Sequence, residues 1–270
     1  MRRGILPLVL FVAAIVVGYA IQQLISVDRR GASEETVTID SRAVGQPLNT
    51  TVVVPGDTPA EGNRSLLVFL HGRGGDERSD LDDAFFGALA ELGSRAPVVA
   101  FPGGGDHSYW HDRADGDWGR YVVREVIPEV VERYGIDRRR VAIGGISMGG
   151  FGAFDLARLH PGRFCAVAGH SPALWRTGGE TAPGAFDDAE DFARHDVIGT
   201  ARANPDAFGD TQVWLDAGDE DPFDPGVDAL AEALGIKARR WPGGHDDGYW
   251  NEHWPDYAGF YARALVRCAR

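Results

Sequence analysis

The chain has 270 residues, 44% of them hydrophobic and 25% charged, a composition that fits one sizeable globular domain and excludes a wholly disordered chain. Its formal net charge is −13, with acids and bases dispersed and no basic stripe, so nucleic acid and other polyanions would be repelled. The two cysteines, Cys165 and Cys268, are too few for a disulfide scaffold.

The N-terminus reads MRRGILPLVLFVAAIVVGYAIQQLI: two arginines, then about 20 mostly apolar residues, Ile5 to Ile25, with no charge among them. Residues 1–25 are therefore expected to be an N-terminal membrane anchor or a signal peptide. The length favours an uncleaved anchor, while Gly18-Tyr19-Ala20 offers a small-residue cleavage site. Arg2 and Arg3 keep the short leading end in the cytoplasm, so the remainder is expected to be extracytoplasmic, membrane-anchored if the segment is retained and secreted if it is cut. Residues 26–35, SVDRRGASEE, are small and charged and read as a linker to a folded domain over 36–270.

Within that domain two early strands, TVTID (36–40) and NTTVVVP (49–55), precede LLVFL (66–70), PVVAF (97–101), RVAIG (140–144), FCAVAG (164–169), QVWLDA (212–217) and KARRW (237–241). The later runs are short, continuous and β-branched, the signature of central strands covered on both faces. Helical patterns alternate with them: SDLDDAFFGALAEL, WGRYVVREVIPEVVERYG with Pro128 as a kink point, MGGFGAFDLARL, DPGVDALAEALG, and a last one within EHWPDYAGFYARALVRC. The alternation predicts an α/β fold, a mostly parallel central sheet with helices on both faces. Only 171–211 breaks the rhythm, with one amphipathic piece near DDAEDFARHDVIGTARA; it walls a binding site or is a packed crossover. Cys165 opens a strand and Cys268 closes the last helix, both at the lower edge of the sheet, so they either pair in an oxidising compartment or remain two thiols.

The run Gly145-Ile146-Ser147-Met148-Gly149 falls where a strand becomes a helix. A G-x-S-x-G turn of this kind lifts a serine hydroxyl above the sheet, and the helix that follows aims its first amides at the reacting centre. A hydroxyl is a weak nucleophile and needs a base, an acid to orient that base, and donors for an oxyanion. His245, in WPGGHDDGYW after the last strand, has the chain position of the base. The loop of QVWLDAGDEDPF supplies the acid, with Asp219 and Asp221 the loop candidates and Asp216 placed inside the strand. Oxyanion amides are expected at Met148 and, in LHGRGGD, at Arg73, where His71 and Gly72 shape the turn. No phosphate-loop, H-E-x-x-H or paired-cysteine spacing is present, so neither cofactor nor metal is expected for this chemistry.

FLHGRGG, GGISMGGFGAF, AGDEDPF and HDDGYW together resemble the bacterial esterase branch of the α/β-hydrolases, the group of esterase D, feruloyl esterases and mycolyltransferases, over about residues 36–268. The resemblance implies an α/β-hydrolase fold without a large cap domain and a cofactor-free acyl-enzyme mechanism on carboxylic acyl esters. It also implies Asp221, three residues after Gly218, as the acid beside Ser147 and His245. Tyr109, Trp110 and Trp175 lie in loops expected near the nucleophile, where they would line an acyl or aromatic pocket. The expected activity is that of an extracytoplasmic serine esterase acting on a small-molecule, glycan or lipid ester. Two alternatives share the scaffold: a cell-envelope acyltransferase, and a catalytically silent envelope binding protein.

Overall fold

The computed structural model describes residues 27–268. The expected anchor or signal peptide, 1–25, lies outside them, and among the described residues no helix is long and apolar enough to cross a membrane.

Eight strands form one sheet: β1 (Ser33–Ser41), β2 (Gln46–Val54), β3 (Arg64–Leu70), β4 (Val98–Pro102), β7 (Ile136–Ile146), β8 (Ala166–His170), β9 (Gln212–Gly218) and β10 (Arg239–Trp241). A separate two-stranded ribbon pairs β5 (Asp112–Arg113) with β6 (Gly116–Asp117). The order is β1-β2-β4-β3-β7-β8-β9-β10, antiparallel at β1/β2 and β2/β4 and parallel from β4 onward. The folded unit starts earlier than residue 36, because Ser33, Glu34 and Glu35 pair with Val54, Val53 and Val52. The charged tail end of the expected linker is therefore strand. A charged, edge-facing sequence can still join a sheet when one alternate side chain, here Val37, reaches the core.

Strand β3 shows why the central runs are continuously apolar. Leu66, Val68 and Leu70 enter one buried cluster while Leu67 and Phe69 enter the other, so the pleat feeds both faces. Helices α1 (Asp83–Glu91) and α8 (Asp247–Cys268) cover the face of Phe69, bringing Phe85, Phe86, Trp254 and Tyr257. On the other face lie α2 (Trp118–Tyr121), α3 (Ile127–Arg133), α4 (Met148–Leu159), α6 (Val197–Ala203) and α7 (Asp224–Ala233). The expected kink at Pro128 takes the form of a π-helical turn, Val122–Val126, between α2 and α3. Proline has no N–H to bond the carbonyl four residues back, and the wider turn accommodates that loss. The irregular 171–211 interval holds two short helices, α5 (Ala189–Arg194) and α6, separated because Asp196 caps the second through Gly199 N at 2.7 Å. No large cap domain rises from it.

Cys165 and Cys268 are joined in a disulfide, with Cα atoms 5.9 Å apart, that ties the start of β8 to the end of α8 across 103 residues. Closing a loop of that length restricts the unfolded chain by an amount worth up to about 4.7 kcal/mol in the chain-entropy account. Cys165→Ala/Cys268→Ala is therefore expected to lower the melting temperature by about 5–10 °C. Dithiothreitol should bring the parent protein down to the same value and leave the variant unmoved; equal melting curves for the two would contradict this.

Candidate active site

The site is built where β7 hands over to α4. Ser147 sits between them at φ 53° and ψ −113°, a left-handed backbone that costs on the order of 1–3 kcal/mol and persists only because the surroundings enforce it. Ser147 N donates to His170 O at 3.0 Å and its carbonyl accepts from Phe151 N at 3.0 Å, which locks the corner from both sides. Gly145 and Gly149 are required by close approach to β3: a Cβ on Gly149 would stand 1.8 Å from the Leu70 carbonyl oxygen, and one on Gly145 2.4 Å from it.

His245 Nε2 lies 2.8 Å from Ser147 Oγ, and His245 Nδ1 lies 2.9 Å from Asp221 Oδ2. Ninety-eight and 24 residues of chain separate these pairs. The other oxygen of Asp221 accepts from Phe223 N at 2.8 Å. Burial alone would raise the Asp221 carboxyl, but the hydrogen bonds from His245 and the Phe223 amide outweigh it and hold the group below its ordinary value, hence ionised. An ionised Asp221 fixes the proton of His245 on Nδ1 and leaves the Nε2 lone pair facing the hydroxyl. Asp219, the other loop candidate, has a different task. Its carboxylate accepts from Gly243 N at 3.0 Å and its own amide donates to Trp241 O, so it braces the loop that carries His245.

The third candidate, Asp216, is wholly buried in β9 and anchors a polar network. Its carboxylate accepts from His170 Nδ1 (2.8 Å), Trp214 Nε1 (2.5 Å), Tyr249 OH (3.1 Å) and Tyr257 OH (3.0 Å), while Tyr261 OH meets His170 Nε2 at 2.9 Å. The network pins α8, and with it the His245 loop, to the sheet. Burial first, and then the Asp216 charge, push Tyr249, Tyr257 and Tyr261 far above the usual phenol range, so all three act as donors. His170 lacks any sequence context that marks it, because its partners come from β9 and α8.

Across from Ser147, His245 and Asp221 runs the loop after β3. A Cβ on Gly72 would touch Ser147 Cβ at 3.6 Å, so this loop passes directly over Ser147. Gly72, Arg73, Gly74 and Gly75 line a groove of about 400 Å³ together with Ser147, His245 and Trp250. The Arg73 guanidinium donates to Pro183 O at 3.2 Å, which holds this groove-lining residue to the chain at 183. His71 braces the turn: Nδ1–H donates to Gly72 O at 2.8 Å and Nε2 accepts from Gly104 N at 3.0 Å, a tautomer consistent with burial holding it below its ordinary pKa.

The three aromatics expected to line a pocket are not in this groove. Trp110 is fully buried behind the loop after β3, where its Nε1 donates to His71 O at 3.2 Å and its ring fills the space left open at Gly104 and Gly152. Tyr109 and Trp175 are also buried, packed with Phe151 and Phe186 in an aromatic cluster. An indole or phenol in a loop next to glycines gains more from filling such gaps than from facing water. Trp175 approaches the site only through Phe223, whose ring is 5.0 Å from that of His245. The aromatic that does reach the groove is Trp250, edge-on to His245 at 5.1 Å. Its place five residues after His245, in the first turns of α8, was the available signal.

A family model described as "Putative esterase" matches residues 41–259. The chain belongs to this esterase family. An esterase of Mycobacterium tuberculosis is 27% identical over 146 residues, covering 50% of this chain and 31% of that protein, so the chain spans about a third of that relative's length. An S-formylglutathione hydrolase of Paracoccus denitrificans is 24% identical over 244 residues, 77% of this chain and 85% of that protein. Among solved structures a ferulic acid esterase aligns with a TM-score of 0.72 and 22% identity, over 87% of this chain and 98% of that one. The esterase-family fold is thus the α/β-hydrolase fold.

Two further acids, Asp80 and Asp247, line the groove. Asp80 has its carboxyl raised to about 7, first by burial and then by the charges of Asp82, Asp247 and Asp76, and its Oδ2 has no hydrogen-bond partner. The folded protein therefore holds this proton over a range in which the unfolded chain, ionising near pH 4, has lost it. Stability contributed at low pH is lost as pH rises from about 4 to about 7. Asp80→Asn should melt a few degrees higher than the parent at about pH 8 and gain nothing at about pH 4. Parallel melting temperatures across that range in calorimetry would refute the assignment.

Proposed function

We propose that the protein is an extracytoplasmic serine esterase that hydrolyses carboxylic acyl esters through an acyl-enzyme. The observation that carries this reading is the continuous line of hydrogen bonds from Ser147 through His245 to Asp221, at 2.8 and 2.9 Å. As Ser147 Oγ attacks the ester carbonyl carbon, its proton passes to His245 Nε2, and the imidazolium is stabilised by the buried Asp221 carboxylate. The carbonyl oxygen becomes an oxyanion that the Met148 and Arg73 amides hold. Collapse expels the alcohol, which takes the proton from His245. Water then enters, gives a proton to His245 as it attacks the acyl carbonyl, and the second tetrahedral species breaks down to free acid and Ser147.

An open groove with no cap domain supports small or extended acyl esters over long, fully enclosed lipid chains, and Trp250 gives it one apolar wall. The disulfide supports an oxidising compartment, in keeping with the apolar segment at residues 5–25. The intact triad weighs against a silent binding protein. Hydrolysis of a panel of p-nitrophenyl acyl esters by residues 31–270, run with and without trehalose, tests the reading. Free acid should dominate with turnover independent of the sugar. Acylated trehalose as the main product would make the protein an envelope acyltransferase, and no turnover of any ester would reject both.

A further inference from the structure

A cavity of about 850 Å³, larger than the groove at Ser147, lies along the other end of α4, lined by His111, Asp155 and His195 among others. Asp155 is eight residues from Ser147, about 12 Å along the helix. The esterase chemistry uses none of these groups.

We propose that His111, Asp191 and His195 form a binding site for one divalent transition-metal ion of the zinc type. Their ligand atoms all lie within 4.8 Å of one another, and all three residues are buried. They come from two separate parts of the chain: His111 from the loop after β4, and Asp191 and His195 from α5 and its C-cap, four apart and so on one face. His111 Nε2 is 3.0 Å from Asp191 Oδ2 and His195 Nε2 is 3.8 Å from Asp191 Oδ1. These separations bracket the edge of roughly 3.4 Å that a tetrahedron with bonds of about 2.1 Å requires, so small side-chain rotations close the site.

Two features go beyond proximity. His195 Nδ1 is 2.8 Å from Asp155 Oδ2, and with the proton on Nδ1 its Nε2 lone pair is turned toward Asp191. A carboxylate behind an imidazole in this way is the usual orienting partner of a metal-bound histidine. Asp155 is itself held by Arg158. On the opposite side His111, with a fully buried side chain, turns the same ring nitrogen, Nε2, toward Asp191, and its Nδ1, which has no partner, takes the proton when Nε2 binds the ion.

Charge and access are compatible with a cation. Asp191 is also held by Arg194 at 3.0 Å, but that arginine side chain is 59% exposed and can turn out to water as the ion enters. Two imidazoles and one carboxylate favour zinc, cobalt or nickel over magnesium or calcium, which prefer oxygen donors throughout. Water from the cavity would complete the coordination. The ion would tie α5, in the irregular 171–211 interval, to the His111 loop and through Asp155 to the nucleophile helix, adding stability without entering the ester chemistry.

The test is titration of chelator-stripped protein with Zn²⁺ by calorimetry, with Co²⁺ as an optical substitute. One equivalent should bind with a dissociation constant in the micromolar range or below, and saturation should raise the melting temperature by several degrees. His195→Gln and Asp191→Asn should each weaken binding at least about tenfold while leaving p-nitrophenyl ester turnover within about twofold. X-ray absorption on the zinc-loaded parent protein, which needs no variant to fold, should count two imidazoles. No binding below about 100 µM would overturn the proposal. So would binding that both variants retain, or a zinc shell with fewer than two imidazoles.

Discussion

Ser147→Ala is expected to lower kcat/KM for a p-nitrophenyl acyl ester by about 10⁴-fold or more while leaving the melting temperature within a few degrees of the parent. In the proposed mechanism the hydroxyl is the atom that forms the covalent bond, and its removal would leave only the oxyanion amides and binding to act on the substrate. His245→Ala should cost a comparable factor, and the double variant should be no worse than either single one, because the two groups act as a unit. Asp221→Asn should cost less than removing the nucleophile. It leaves His245 in place but takes away the charge that selects its tautomer, so the loss appears mainly in kcat. Activity of Ser147→Ala within tenfold of the parent would reject the assignment of the nucleophile.

Asp216→Ala is expected to have the largest effect on stability. The variant would leave four donors, from His170, Trp214, Tyr249 and Tyr257, pointing at an empty space in the buried centre of the fold. Breaking a buried charged network by removing one partner costs about 3–5 kcal/mol, which in a chain of this size corresponds to a melting temperature lower by roughly 10 °C. Because α8 carries Tyr249 and Tyr257 and follows His245 directly, esterase activity should be lost at lower urea concentration than in the parent, in step with unfolding. A urea midpoint indistinguishable from that of the parent would show that the network contributes nothing.

The meeting of Ser147 with His245 was legible in the sequence because its cues are local: a G-x-S-x-G turn at a strand end, and a histidine just after the last strand. The central strands were legible for the same reason, since burial on both faces writes itself as continuous apolar runs. Asp221 against Asp219 was not a local question. The residue pattern left both open and the family resemblance chose Asp221; the loop geometry, with Asp219 turned onto Gly243 and Asp221 onto His245, gives the physical reason. The aromatic residues illustrate the limit from the other direction. Tyr109, Trp110 and Trp175 belong to loops at the Ser147 end of the sheet, yet the space beside Gly104 and Gly152 and the Phe151–Phe186 cluster draw them inward. Trp250 reaches the groove because α8 starts at Asp247, earlier than its apolar pattern suggests. The pairings of His170 with Asp216 and of His195 with Asp155 join residues 46 and 40 positions apart, and no spacing rule along the chain predicts them.

The central claim is that Ser147, activated by His245, forms a covalent acyl-enzyme. Intact-protein and peptide mass spectrometry after reaction with a fluorophosphonate measures it directly. One phosphonate should add to the parent protein, on the peptide that holds Ser147, and the rate should fall by orders of magnitude in His245→Ala. A label on any other residue, or an equal labelling rate without His245, would contradict the account.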